Sequence, residues 1–237
     1  MKLSVVLPCY NEAENLPGLV ERYREVWPEY EAELILVNNG STDRSAEVLA
    51  ELLASGKYPF ARSVLIEKNR GYGHGIFTGL QSARGDFLAW SHADMQCSPE
   101  DPFRAYEAIQ GKAEPQQWVV KGQRAKRGGT AQLVTNVMSL LSTMVLWKRL
   151  TDINAQPKVF PRALMSQLVA PPDGFPFDLY VLFRALRSGM KIATIPVVFG
   201  ARAHGQSKWA FSFLSRWRTI WTMIKFIFRL RLTGGER

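Results

Sequence analysis

The stretch SHADMQCSPED, residues 91 to 101, places an imidazole (His92), a carboxylate (Asp94) and an amide (Gln96) directly after the apolar run GDFLAW. Asp94 and the side-chain oxygen of Gln96 are hard donors of the kind magnesium or manganese prefers. Such ions often keep only one or two protein ligands and take the rest from phosphate and water. At alternate positions of an extended segment the two side chains would point the same way. An Asp after a strand more commonly caps a helix, but Ser98-Pro99-Glu100-Asp101 offers a better cap, with Pro99 at the first helical position. That leaves Asp94 for a cation. Further polar clusters occur in CYNE, NNGSTD and NRGYGHG, then in TDINAQPK (Asp152, Asn154, Gln156, Lys158), GFPFDLYVLFRAL (Asp178) and RAHGQSK (Arg202, Ser207, Lys208). Asp178 begins a helical pattern, so an N-terminal helix charge is its plain alternative role. For TDINAQPK a polar turn with satisfied side chains stays equally open.

Elements able to position these residues are legible in the first hundred positions. LSVVLPCY, ELILVNN, ARSVLIEK, DFLAWSH and the later WVVKGQR read as strands. ENLPGLVERYREVWPEY, STDRSAEVLAELLASG and GIFTGLQSARG carry helical patterns; Ser41 or Thr42 is positioned to cap the second, and Gly56 to end it. Strand–helix alternation with near-continuous apolar strands predicts a parallel α/β sheet covered on both faces. Ligands of such sheets bind at the carboxyl ends of the strands. CYNE, NNGSTD, NRGYGHG and SHADMQ all fall there and should converge on one crevice.

Length and composition narrow the partners. At 237 residues with 46% hydrophobic content, the chain suits one large domain, or a domain with an appendage, and excludes disorder. A net charge of +9 points to an anionic partner: nucleic acid, a lipid surface or phosphorylated ligands. The cysteines, Cys9 and Cys97, have no metal-ligand spacing and suggest a reducing compartment. MKLSVVLPCYNE has too short an apolar run for a signal peptide, so the expected location is the cytoplasmic side.

Beyond residue 125 the texture changes. KRGG is a hinge candidate, and residues 130 to 147 carry no charge. Leu133, Val134, Val137, Met138, Leu141, Met144 and Val145 cluster apart from Thr135, Asn136, Ser139, Ser142 and Thr143. We read a core-packing helix first, ahead of a membrane span or a helix facing lipid. In the C-terminal KWAFSFLSRWRTIWTMIKFIFRLRL, helical spacing groups Arg218, Lys225 and Arg229 with Ser215 and Thr222. Trp217, Ile220, Trp221, Ile224, Ile227 and Phe228 lie opposite. Basic flanks, aromatics and a wide apolar face describe a segment lying in a membrane interface, with packing on the domain as the alternative. Basic residues interleaved with large apolar ones argue against a nucleic-acid groove.

Taken together, PCYNEAENL, LVNNGSTDRS, NRGYGHGIFTGL, GDFLAWSHADMQCSPED and RAHGQSK resemble glycosyltransferase family 2 with its GT-A fold, and within it the dolichyl- or polyprenyl-phosphate sugar transferases. The resemblance runs from the first strand to about Trp209. It implies an α/β fold of Rossmann-like, nucleotide-diphospho-sugar transferase type: a mostly parallel sheet with helices on both faces, followed by C-terminal amphipathic interfacial helices. The implied division is residues 1–208 for the GT-A domain and 209–237 for the membrane-interface segment. Pro8, Tyr10 and Glu12 would cradle the nucleotide base, Asn39 would recognise it, and Gly71, His92 and Ala93 would line the nucleotide-sugar site. Asp94 and Gln96 match the family's metal ligands for Mg2+ or Mn2+. Arg124 matches an arginine near the phosphates, and Arg202, Ser207 and Lys208 match an element that closes over donor diphosphate and acceptor phosphate. Cations there would meet charge growing on the departing nucleoside diphosphate. The chain departs from the family where NNGS replaces DDGS, which puts base preference in doubt, and where His92 replaces an acid. His92 could contact the ribose, cap the strand or, as the weakest option, bind the metal.

Family position makes Asp178 the candidate catalytic base, with Asp94, Arg202 and Lys208 as further catalytic residues. A sugar hydroxyl normally needs a base to attack. A lipid phosphate, with a second pKa of about 6, is already ionised at neutral pH, and Asp178 would then orient rather than abstract. The expected activity is inverting transfer of a sugar from a nucleotide-sugar donor to a polyprenyl (undecaprenyl or dolichyl) phosphate, by a protein held peripherally on the cytoplasmic membrane face. The alternatives are a sugar-hydroxyl acceptor in cell-surface polysaccharide synthesis, and a non-catalytic nucleotide-binding membrane adaptor.

Overall fold

The computed structural model describes residues 1–125, 130–200 and 213–235, and in its two longest helices the side chains from 136 and from 218 onward. The strands are β1 (Leu3–Cys9), β2 (Ala32–Asn39), β3 (Ala61–Ile66), β4 (Phe87–Trp90), β5 (Trp118–Arg124), β6 (Lys158–Pro161) and β7 (Lys191–Val197). They form one sheet in the order β3-β2-β1-β4-β6-β5-β7. All pairs are parallel except those of β6, which runs antiparallel between β4 and β5. The helices are α1 (Leu16–Glu25), α2 (Ser45–Ala54), α3 (Tyr72–Ser82), α4 (Asp101–Gln110), α5 (Thr130–Leu146), α6 (Phe177–Arg187) and α7 (Phe213–Thr233).

Alternation along the strands builds two cores. Val6, Ile35 and Val37 face the layer of α3, α6 and α7, where Ile76, Leu80, Phe177 and Ile227 are buried. Leu3, Val5, Leu7, Leu34 and Leu36 face α1, α2 and α4, meeting Leu16, Leu19, Leu49 and Phe103. With both faces covered, β1 and β2 have no solvent side, which is why they read as unbroken apolar runs. The order reverses between β1 and β4, so the crevice for a ligand opens at their carboxyl ends.

Several local expectations need correction. α4 begins at Asp101 with no side-chain cap; Pro102, rather than Pro99, sits in its first turn, and Ser98 contributes only its carbonyl, to the Asp101 N–H at 3.2 Å. α2 begins at Ser45, so Ser41 and Thr42 do not cap it. They bind Asn11 of the neighbouring loop instead, and Asp43 accepts the Ser45 N–H at 3.0 Å. Gly56 does follow the helix in the left-handed region, at φ 69°. Neither β6 nor β7 was anticipated. β6 is four residues long and starts with a lysine, and β7 is an edge strand that accommodates Pro196.

The later helices also differ from the pattern drawn on sequence. In α5, Met138, Leu141 and Val145 pack on the core, Ser142 is buried, and Val137 and Met144 face outward. In α7, Met223, Ile227 and Leu230 pack on the domain while Trp221 and Phe228 stay exposed beside the cations. Apolar residues lie on both sides of each helix, so periodicity alone could not choose the packed side. The hinge candidate at 126–129, the side chains of Leu133, Val134, Thr135, Ser215 and Trp217, and the domain division at residues 208 and 209 lie outside the described residues. Among the described residues no helix is long and apolar enough to cross a membrane.

Candidate active site

The strand-end segments converge as the parallel order requires. After β1, Asn11 (φ 56°) ties to the loop after β2: its N–H donates to Ser41 Oγ at 3.1 Å, and its side-chain oxygen accepts the Thr42 N–H at 2.8 Å. The Glu12 N–H donates to Ser45 Oγ at 2.9 Å. Pro8, Tyr10 and Glu12 are half-buried along this seam. Asn39, at the end of β2 and nearly fully buried, donates from Nδ2 to the Gly71 carbonyl at 3.0 Å. Gly71 takes φ 134°, a conformation side chains avoid, and its turn rests on the Asp173 backbone. A Cβ at Gly75 would lie 2.7 Å from Asn39 Nδ2, so the absence of a side chain there is what lets α3 approach the amide. Because Nδ2 is committed to Gly71, Asn39 Oδ1 is left as a buried acceptor without a hydrogen-bond partner.

The loop after β4 carries the opening triad. His92 is half-buried between Tyr72 (centroids 5.9 Å) and Phe199 (6.1 Å), and the charges of Asp94, Asp178, Lys158 and Arg124 all act on it. Burial outweighs the carboxylates and lowers its pKa, holding the ring neutral. Ala93 and Asp94 are buried. Met95 takes φ 64°, so Asp94 and Gln96 are not alternate residues of an extended segment; they flank a tight bend in which Asp94 Oδ1 accepts the Gln96 N–H at 3.2 Å. Gln96 also exchanges bonds with Gly200, donating Nε2 to its carbonyl at 3.0 Å and accepting its N–H at 2.8 Å. With Nε2 so engaged, the amide oxygen is the free face of Gln96. One carboxylate and one amide oxygen beside a neutral imidazole suit a magnesium- or manganese-like ion that takes its other ligands from a diphosphate and water. No group of three or more His, Cys, Asp or Glu residues able to hold a metal occurs among the described residues.

Behind the triad lies a buried charge network. Lys158, the first residue of β6, sits in register with Trp90 of β4 on one side and Lys121 of β5 on the other. Two lysines directly opposite each other repel. Asp178, at the start of α6, offsets this with an ion pair to Lys158 and accepts Gln156 Nε2 at 2.9 Å; that same amide group reaches Tyr72 Oη at 2.9 Å. Both members of the pair are fully enclosed, and burial lowers the Lys158 pKa against the pull of Asp178. Lys121 Nζ donates to the Gly122 and Asp152 carbonyls at 2.9 and 3.1 Å, and its pKa is pushed down to about 7 by burial and then by the Lys158 charge. Asp152 (φ 40°) accepts from the Arg124 backbone N–H at 2.8 Å and from Nε at 3.0 Å, within a bidentate ion pair. The Arg124 guanidinium also lies 5.9 Å from the Phe199 ring.

The structure thus gathers Asn39, Gly71, His92, Ala93, Asp94, Gln96, Arg124 and Asp178 around one crevice. Arg202, Ser207 and Lys208 lie outside the described residues; the chain leading to them departs from Gly200, which Gln96 holds. Sequence reading had gathered Asp152, Gln156 and Lys158 without roles. It passed over Lys121 and Tyr72, although a lysine inside the apolar strand WVVKGQR was an available signal.

Known proteins agree with this architecture. The chain is 29% identical to a dolichol-phosphate mannosyltransferase of Pyrococcus furiosus across all of its length and 65% of that protein's. It is 32% identical to an undecaprenyl-phosphate 4-deoxy-4-formamido-L-arabinose transferase of Pectobacterium carotovorum, covering 88% of this chain and 63% of that one. It therefore spans just under two thirds of these relatives. Glucosyl-3-phosphoglycerate synthase of Mycobacterium tuberculosis, solved with Mn2+, UDP and glucosyl-3-phosphoglycerate, superposes with a TM-score of 0.70 at 22% identity, over 97% of this chain and 79% of that one. That likeness shows a shared fold. The model of the family described as "Glycosyl transferase family 2" matches residues 4–152, more than half of the chain, and the chain belongs to that family.

Proposed function

We propose that this protein is an inverting glycosyltransferase that moves a sugar from a nucleotide-sugar to a polyprenyl phosphate, on the cytoplasmic side of a membrane to which it binds peripherally. The observation that carries the reading is the crevice itself: buried Asp94 and the Gln96 oxygen at the switch between β1 and β4, backed by the Arg124 guanidinium and the buried amines of Lys121 and Lys158. The relatives whose names include dolichol-phosphate and undecaprenyl-phosphate support the acceptor class. The basic, aromatic α7 supports a membrane surface.

In this reading Pro8, Tyr10, Glu12, Asn39 and Gly71 bind the nucleoside, with the buried Asn39 oxygen accepting from it. Asp94 and Gln96 hold a divalent cation, Mg2+ or Mn2+, which supplies charge neutralisation at the diphosphate. His92 and Ala93 wall the sugar side. Arg124, fixed by Asp152, presents a rigid positive edge, and Arg202, Ser207 and Lys208 complete the anion site over donor and acceptor phosphates. An acceptor phosphate arrives already ionised. Asp178, enclosed by Lys158 and Gln156, then serves as a positioning residue that keeps the floor of the site in register.

Transfer of labelled sugar from UDP-, GDP- and CDP-sugars to a membrane extract, with and without manganese, tests the proposal. Acid-labile label in organic solvent, abolished by Asp94→Ala, is the expected result. Label in a water-soluble glycan would shift the acceptor to a sugar hydroxyl. Nucleotide binding with no turnover on any donor would overturn the catalytic reading.

A further inference from the structure

Four half-buried rings meet at the crevice, each from a different part of the chain. Tyr72 opens α3, His92 lies in the loop after β4, Phe175 in the turn before α6, and Phe199 just beyond β7. Between ring centroids, Tyr72 is 5.9 Å from His92 and 6.4 Å from Phe175, and His92 is 6.1 Å from Phe199. Such spacings are aromatic contacts, so the rings form one continuous wall, Phe175–Tyr72–His92–Phe199. His92 precedes Asp94 by two residues, which sets this wall beside the diphosphate end of the site.

The rings are held in place by their neighbours. Tyr72 Oη accepts from Gln156 Nε2 at 2.9 Å, and the same amide group donates to the enclosed Asp178 at 2.9 Å. Phe199 adjoins Gly200, which Gln96 bonds twice, and the Arg124 guanidinium lies 5.9 Å from its ring. A surface fixed in this way costs a ligand little ordering. Position 92 contributes an imidazole and no carboxylate. The acids whose charges reach His92 are Asp94 and Asp178. Asp178 is enclosed with Lys158, and Asp94 belongs to the divalent cation in the reading above. Asp152 is engaged by Arg124.

We propose that Tyr72, His92 and Phe199 set the donor-sugar specificity: they pack on the C–H face of an uncharged sugar and exclude a sugar that carries a free ammonium group. This specificity deepens the nucleotide-sugar reading and rests on it. The C–H groups of a sugar ring are weakly positive and meet the negative faces of aromatic rings. Ligand pockets lined by aromatic rings with few polar groups follow the same logic. An ammonium group would find no carboxylate on this wall and would be set against Arg124 and the divalent cation, a like-charge arrangement that opposes binding strongly.

Titration calorimetry on the full chain, with Mn2+ and no acceptor, tests this. UDP and GDP are titrated first. The glucose, 6-amino-6-deoxyglucose and glucuronic acid conjugates of whichever binds follow, three sugars that differ at one carbon. The glucose conjugate should bind at least about tenfold more tightly than the amino-sugar conjugate. Tyr72→Leu should weaken the glucose conjugate about three- to tenfold relative to the nucleoside diphosphate alone. Tyr72→Phe keeps the ring and should keep that ratio. His92→Asp places a carboxylate in the wall and should reverse the order of the glucose and amino-sugar conjugates. Both carry the same diphosphate, so a change in cation affinity cancels from their ratio. On wild type, an amino-sugar conjugate bound as tightly as the glucose conjugate would overturn the specificity, whether or not the variants fold. So would a glucuronic acid conjugate bound more tightly than glucose, which would give the choice to Arg124, or no gain of any conjugate over the nucleoside diphosphate. Failure of both UDP and GDP to bind would overturn the nucleotide-sugar reading itself, and the specificity with it.

Discussion

Replacing Asp178 by alanine leaves the Lys158 ammonium enclosed with no counter-charge. In the folded chain Lys158 is 0% exposed and Asp178 1%, so water cannot take over from the lost carboxylate. Removing one member of such a pair costs about 3–5 kcal/mol, a large part of the ~5–15 kcal/mol that holds a domain together. The loss has a pH signature. Burial already holds Lys158 below its ordinary 10.5, and without Asp178 the folded-state value falls further. The unfolded chain then binds more protons than the folded one, so stability of the variant rises with pH, by up to about 1.4 kcal/mol per unit. The deficit should be full at low pH, below the folded-state value, and shrink as pH approaches 10.5. Urea titrations of wild type and Asp178→Ala, followed by tryptophan fluorescence at acidic, neutral and alkaline pH, measure both effects. The apolar double variant Asp178→Leu/Lys158→Met should return to within about 1–2 kcal/mol of wild type, because it buries no charge. A loss below about 1 kcal/mol at acidic pH, with no pH trend, would refute the buried-pair account and return Asp178 to the role of a solvent-accessible proton acceptor.

Other expectations are independent of that pair. Asp94→Ala should lower sugar transfer at least ~100-fold and raise the manganese concentration needed for half-maximal rate, with little change in the urea midpoint. Asn39→Asp exchanges an N–H donor for a carboxylate facing the Gly71 carbonyl at 3.0 Å, and should lower stability by about 1–3 kcal/mol in a thermal melt. Lys121, with its pKa pushed down to about 7, should make wild type gain stability from pH 7 toward pH 10 relative to Lys121→Met, again with a slope of up to about 1.4 kcal/mol per unit. Parallel curves for the two proteins would show that Lys121 stays charged in the fold.

Much of the frame could be read from local pattern. β1, β2 and β4 announce themselves as apolar runs because both their faces are buried, and a parallel order then forces CYNE, NNGSTD, NRGYGHG and SHADMQ to one edge. What escaped was set by long-range pairing. β6 is too short to signal a strand, yet its insertion between β4 and β5 is what faces Lys158 with Lys121 and Trp90. The bend at Met95 was hidden because a left-handed residue other than glycine has no local signature, so Asp94 and Gln96 come together by an Asx-type turn rather than by strand alternation.

By itself, then, the sequence determined the α/β alternation, the identity of the crevice segments and the presence of cations and aromatics near the C-terminus. These follow from burial periodicity and from side-chain chemistry, which are properties of neighbouring residues. Tertiary structure alone decided which charge meets which: Arg124 with Asp152, 28 positions away, and Lys158 with Asp178, 20 positions away. It also decided which side of α5 faces water. That helix has apolar residues on both sides, and only contact with the core could claim Met138, Leu141 and Val145 and leave Leu140, Met144 and Trp147 outside.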